Sequence, residues 1–199
     1  LSQARSSPEN LAPPSAHGCL GQPPEGTSRI ERITARGEFA LADGRTLRPL
    51  GIAMGRLSAL ESQIIRQQLL WQLAQLSSSP DRWGRHAGWA LAPSIMAGHD
   101  PLPLTLALLG DGLGLADPSE VSAACRPALL KAEAEARRGK RGIWRDPGAV
   151  IDANTPQAGL VRLSGQFALL EGRVLRVAEG RQRHFIDFGL RGSGSASAA

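Results

Sequence analysis

Three features of the 199-residue chain predict an α+β fold: short apolar runs split by an Asp-Gly turn, then apolar residues at helical spacing, then a return to strand-like runs. Hydrophobic residues make up 42% and charged residues 21% of the chain, so it can bury a sizeable core and wholesale disorder is excluded. The length allows one ordinary domain with an appendage or tails, which argues against a two-domain enzyme with a full nucleotide-binding half. The longest apolar stretch, 89–97, is broken by Pro93 and Ser94 and falls short of the roughly 18 to 20 residues that span a bilayer. No transmembrane segment is expected.

Residues 1–28 hold five of the 14 prolines among Ser, Gly and Gln and show no periodicity, so they read as an extended tail that a partner surface would order. From residue 29 to 50 the pattern is strand, turn, strand: Ile30, Ile33 and 39–41, then Asp43-Gly44, then 46–50. The glycine accepts the positive φ of a hairpin turn. A third short strand follows over 50–54. Ser58 and Glu61 form a capping box, and Ile65, Leu69, Leu73 and Leu76 recur at helical spacing, which predicts a helix over 58–76.

A polar turn, 78–85, leads into an expected strand over 86–91. A short helix over 103–109 is closed by Gly110 as a left-handed cap, and a further helix over 127–138, with Pro127 near its start, ends at Gly139. Residues 148–159 read as a linker. Residues 160–191 read as a small β module of two strands, 166–177 and 184–190; such a pair is marginal alone and must pack on something else. The last eight residues, 192–199, contain only Gly, Ser and Ala and read as a flexible tail.

Lys plus Arg is 23 and Asp plus Glu is 18, for a net charge of +5, spread as −1 over 1–28, +4 over 29–147 and +2 over 148–199. All but two of the cations are Arg, whose fork matches phosphate oxygens, although a composition bias explains the same excess. Cys19 and Cys125 are too few for a disulfide framework and too far apart for a local metal knuckle. In an exported chain they would form one bridge pinning the tail to the domain, and in a cytosolic one they would be buried thiols. The sequence opens at Leu1 with no basic start or apolar run, as expected of a mature protein whose export signal has been removed.

The ordered series 43–47, Asp81-Arg82-Trp83-Gly84-Arg85, 108–116 and 132–144 resembles the staphylococcal-nuclease-like (thermonuclease) family over residues 29–147. The resemblance implies a five-stranded OB-type β-barrel with three helices, here followed by a C-terminal β-hairpin module. It also implies calcium-dependent phosphodiester hydrolysis, in which carboxylates hold the cation and activate water while arginines face the phosphate. Arg48 and Arg85 match the two phosphate-facing arginines. The acidic positions, however, fall on Arg45, Ala53 and Arg56, leaving Asp43 as a weak metal candidate. One carboxylate beside two cations cannot supply the six to eight oxygens of a calcium site, so no catalytic residue and no cofactor is expected.

Arg45, Arg48, Arg56 and Arg85 remain as anion-binding candidates in the old cleft, weighed against drift of unconstrained positions to Arg. The basic run Arg137, Arg138, Lys140, Arg141 and Arg145 reads as a solvated helix end, with nucleic-acid contact as the sharper option. Trp83, Trp89 and Trp144 are expected to fill the barrel and anchor helices rather than stack on bases. His17, His86, His99 and His184 share no metal-ligand spacing.

The function expected from these residues is a catalytically inactive, nuclease-like accessory or interaction subunit of a periplasmic or membrane-associated assembly, exported or otherwise cytoplasmic. Protein partners would engage the N-terminal tail and the C-terminal β module, with nucleic acid a further possible partner. Two alternatives stand beside it. One is a calcium-dependent nuclease with a rearranged site using Asp43 and Asp81; the other is a non-catalytic nucleic-acid-binding module.

Overall fold

A computed structural model describes residues 19–20, 25–54, 70–74, 76–92, 102–153, 161, 167–181, 184–188 and 197–198. The chain divides into two units, Leu1–Gly142 and Ile143–Ala199. The first is built on strands β1 (Gly26–Ile33), β2 (Phe39–Leu41), β3 (Thr46–Pro49), β4 (Ile52–Met54), β5 (Leu70–Ala74) and β6 (Arg85–Leu91). Five of them close a barrel in the order β1-β2-β3-β6-β5, with β1 pairing antiparallel to both β2 and β5, and β3 pairing parallel to β6. This closed five-strand barrel in a mixed α+β chain is compatible with an OB-fold.

Alternation explains why these segments are strands. In β1, Ser28, Ile30 and Ile33 are buried between exposed neighbours, with a register shift between Ile30 and Arg32 accounting for the extra residue. The turn into β3 hinges on Gly44 at φ 85, as the Asp-Gly pair predicts. Phe39, Leu47, Leu73 and Leu91 show no exposure at all and meet in the barrel with Trp89 and Trp71.

The expected helix over 58–76 is corrected at its C-terminal end. Leu70–Ala74 is strand β5, paired to β1 through Ser28↔Trp71 and to β6 through Leu73↔Ala90. Leu69, Leu73 and Leu76 fit a helical period, but Trp71 and Leu73 also fit a period of two, and the barrel decides between them because it buries both. Residues 55–69 lie outside the described residues. The third short strand, β4, does not enter the barrel; it pairs with β7 (Gly114–Ala116) in a separate two-stranded sheet.

Two α-helices are present among the described residues. Helix α1 (Leu104–Gly110) buries five of its seven residues, and Thr105 Oγ1 donates to the Leu50 carbonyl at 2.9 Å, fixing the helix against the chain beyond β3. The positive φ after α1 belongs to Gly112 (φ 70) and not to Gly110, because the helix continues through Gly110 and is capped by Asp111. Helix α2 (Arg126–Arg138) buries Leu129, Ala132 and Ala136. Gly51 (φ 79) lies beneath Leu129, where an added Cβ would sit 2.9 Å from a Leu129 methyl. Cys19 and Cys125, both buried, are joined as a disulfide with a Cα–Cα distance of 4.4 Å, anchoring the segment before β1 at the start of α2.

The left-handed residue at the end of α2 is Lys140 (φ 48) rather than Gly139 (φ −79). The Arg141 N–H donates to the Ala136 carbonyl and the Lys140 N–H to the Arg137 carbonyl, the pair of bonds of a Schellman motif. A lysine therefore stands where this motif favours glycine.

The second unit contains β8 (Val150–Asp152), β9 (Leu169–Glu171), β10 (Arg176–Glu179), β11 (His184–Asp187) and β12 (Ser197–Ala198). The expected linker over 148–159 thus holds a strand, and the expected strand over 166–177 is split. Its first part, β9, pairs parallel to β8, while β10 pairs antiparallel to β11. Gly172 explains the break: an added Cβ there would fall 2.6 Å from the Ala153 Cβ, so the chain after β9 runs tight against the end of β8.

Candidate anion-binding cleft and its ion pairs

Each described arginine expected to face an anion already holds a carboxylate of its own chain. Asp43 and Arg45 face each other across the β2–β3 turn: the Arg45 Nη2 donates to Asp43 Oδ2 at 2.7 Å and its backbone N–H to Oδ1 at 3.0 Å. The hydrogen bond from Arg45 holds the Asp43 carboxyl below the usual carboxylate range, and Asp43 in turn raises Arg45. Asp43, the weak metal candidate, has both of its carboxylate oxygens engaged by Arg45.

Arg48, on β3, donates to Glu120 Oε2 at 2.5 Å, a surface pair of the kind that contributes little and exchanges readily. Arg85, at the start of β6, is the most enclosed of the set, its side chain only 17% exposed. Its Nη1 donates to Glu38 Oε1 at 2.8 Å and its Nε to Asp81 Oδ2 at 2.8 Å. Glu38 also accepts from Thr34 Oγ1 at 3.0 Å, and Asp81 Oδ1 accepts the backbone N–H groups of Trp83 and Arg85. The Arg85 hydrogen bond pulls Asp81 down to about 2. Asp81 thereby shapes its own loop and fixes the guanidinium, while Glu38 ties the β1–β2 loop to the β5–β6 loop.

Trp83 corrects the expectation that it fills the barrel: it is 55% exposed, with the Arg82 guanidinium 3.9 Å and the Arg85 guanidinium 4.5 Å from its ring centroid. Its neighbour Gly84 takes φ 76, and the tight turn turns the indole outward. Trp89 and Trp144 are buried, at 1% and 8% exposure. Ala53 sits mid-strand in β4 opposite Leu115. Arg56, His17 and His99 lie outside the described residues. His86 Nδ1 contacts the Ser77 carbonyl at 3.0 Å, His184 begins β11, and no group of three or more His, Cys, Asp or Glu suited to a metal occurs among the described residues.

Glu38 and Glu120 are the members of this site that sequence reasoning misses. They lie 47 and 72 positions from their arginines, and no local motif marks them. The Thr34-to-Glu38 turn, in which Thr34 Oγ1 also accepts the Glu38 N–H at 3.2 Å, is the one nearby signal. No family model and no curated protein matches this chain.

Proposed function

We propose that this chain is a non-catalytic protein with a nuclease-like barrel, acting as an accessory or interaction subunit of an exported assembly. The observation that carries the reading is the internal neutralisation of the cleft: Arg45, Arg48 and Arg85 bind Asp43, Glu120, Glu38 and Asp81 of the same chain. A phosphodiesterase needs carboxylates free to hold a cation or take a proton, and guanidiniums free to meet developing charge. At Arg45 and Arg85 each partner has spent its best acceptor or donor on the other, while the exposed Arg48–Glu120 pair is the looser one. Arg85 serves instead as a strut between the β1–β2 and β5–β6 loops. The family assignment itself, with its third helix and C-terminal hairpin module as a partner surface, belongs to this reading and rests on the four ordered sequence segments.

The exported location is supported by the Cys19–Cys125 disulfide, a bond that persists in oxidising compartments and is rare in the cytosol. Exposed apolar residues of the second unit, Val174, Leu175, Val177 and Phe185, support the partner role, since a sheet this small leaves them uncovered. A second reading, nucleic-acid binding without catalysis, is favoured by the exposed Trp83 flanked by two guanidiniums.

One gel tests these readings: purified chain with labelled single-stranded DNA and RNA, in calcium or EDTA, beside Arg48→Ala and Trp83→Ala variants. The accessory reading expects intact substrate and unshifted mobility in every lane. Calcium-dependent cleavage lost in Arg48→Ala refutes it in favour of an active nuclease. A salt-sensitive shift lost in Trp83→Ala refutes it in favour of the binding module.

A further inference from the structure

Arg82 differs from the arginines of the cleft. It is exposed, its guanidinium lies 3.9 Å from the Trp83 ring centroid, and it makes no ion pair with a carboxylate among the described residues. Contact with the indole orients the guanidinium and leaves its fork of N–H donors unspent, so a planar carboxylate can be met with little further loss of side-chain freedom. The turn beneath is closed by its own hydrogen bonds. Asp81 Oδ1 accepts the N–H groups of Trp83 and Arg85 at 2.9 and 3.0 Å, the Gly84 N–H donates to the Asp81 carbonyl at 2.9 Å, and Gly84 takes φ 76. Trp83, 55% exposed, is therefore held outward beside an oriented, unpaired cation.

We infer that Arg82 and Trp83 form a docking point for an acidic peptide segment of a protein partner, its carboxylate meeting the Arg82 fork and an adjoining apolar side chain covering the indole. Charge selects this occupant. The other guanidinium against Trp83, that of Arg85, is already matched by Glu38 and Asp81, so the turn offers one unpaired cation with two carboxylates beside it. A single carboxylate fits that balance. A phosphodiester backbone would instead bring repeated negative charge towards Asp81 and Glu38 while finding one free cation. Tryptophan and arginine are also the side chains that most often carry the binding energy of a protein interface. The inference deepens the accessory-subunit reading and rests on it.

The test pans a phage-displayed random peptide library on the full chain, after depletion on the Arg82→Gln/Trp83→Ala double variant to remove binders of other faces. The most enriched peptide is then synthesised with a fluorophore and its binding followed by anisotropy in roughly 0.1 M salt. Enriched sequences are expected to set Asp or Glu beside an aromatic or aliphatic residue. Arg82→Gln and Trp83→Ala are each expected to weaken the peptide about ten-fold, and Arg82→Lys, which keeps the charge but not the fork, nearly as much. No enrichment, enriched peptides without an acid, wild-type affinity in Arg82→Gln or Arg82→Lys, or displacement of the peptide by oligo(dT) would overturn the proposal. Arg82→Gln leaves the Arg85 ion pairs in place, and circular dichroism of each variant separates a loss of binding from a loss of fold. Cleavage or a mobility shift of nucleic acid refutes the accessory reading itself, whereas failure of the peptide selection with nucleic acid intact and unshifted refutes this docking point alone.

Discussion

Reducing the Cys19–Cys125 disulfide is expected to be the largest single perturbation to the stability of the first unit. The bridge closes a loop with a sequence separation of 106. On the chain-entropy relation, −2.1 − 1.5R ln n cal/mol/K, that loop restricts the unfolded ensemble by about 16 cal/mol/K, or about 4.8 kcal/mol at 25 °C. Both sulfurs are buried, and after reduction the thiols still occupy the same volume, so cavity formation adds little to the loss. With an unfolding entropy of about 2.1 cal/mol/K per residue, a unit the size of Leu1–Gly142 has roughly 0.3 kcal/mol/K, and the shift is about 15 °C. The assay is a thermal melt of the full chain with and without a phosphine reductant, followed by near-UV circular dichroism, with thiol titration of the denatured protein before and after. Two thiols are expected only after reduction, together with the fall in Tm. A Tm unchanged within about 2 °C despite two titrated thiols would refute the loop-closure argument, showing that the unfolded chain is already restricted.

Arg85→Met leaves Glu38 without its cation in a site where the carboxylate side chain is 11% exposed; the expected loss is about 2–3 kcal/mol by urea titration, with Glu38→Gln/Arg85→Met recovering part of it. Asp81 supplies an acid limit. Its folded pKa, about 2, lies below the ordinary carboxylate value of 3.8, so its contribution is fully present above pH 4 and is lost as pH falls through about 2. Asp81→Asn is expected to flatten that part of the stability–pH curve measured by denaturant melts, and a wild-type curve already flat between pH 4 and 2 would contradict the pairing. Lys140→Gly relieves a left-handed lysine and is expected to raise stability by about 0.5–1 kcal/mol in the same titration, whereas a neutral or destabilising result would mean that the ammonium makes a stabilising contact.

What was legible in the sequence is what is decided within a few residues. The Asp43-Gly44 hairpin, the strand over Arg85–Leu91 and the helix over Arg126–Arg138 all follow from local rules: a glycine that tolerates positive φ, a short apolar run after a polar turn, and an early proline with a face of Leu129, Ala132 and Ala136. Strand β5 was not legible, because Leu73 serves a helical and a strand period equally and only closure of the barrel between β1 and β6 chooses. The same holds for the outward turn of Trp83. An indole is normally read as core, and what exposes it here is Asp81 accepting two backbone N–H groups across the turn and committing the loop to that shape.

Charge in the cleft follows the same division, and it alters what the arginines mean. Arg45 and Asp43 are two residues apart, so their pairing was within reach of the sequence; Arg85 and Glu38 meet only because β6 lies beside β3, two strands from β1. Read along the chain, Arg45, Arg48 and Arg85 are cations awaiting an anion. Folded, they are the cationic side of a set of ion pairs whose carboxylates come from the β2–β3 turn, the β1–β2 loop, the β5–β6 loop and the segment before α2. For an external phosphate to occupy Arg85 it would have to displace two carboxylates and leave both without their cation, whereas at Arg48 it would displace one exposed glutamate. The two arginines that look equivalent in sequence therefore differ sharply in availability. Any anion affinity of these arginines should depend on Arg48, and should rise when Glu120→Gln frees it.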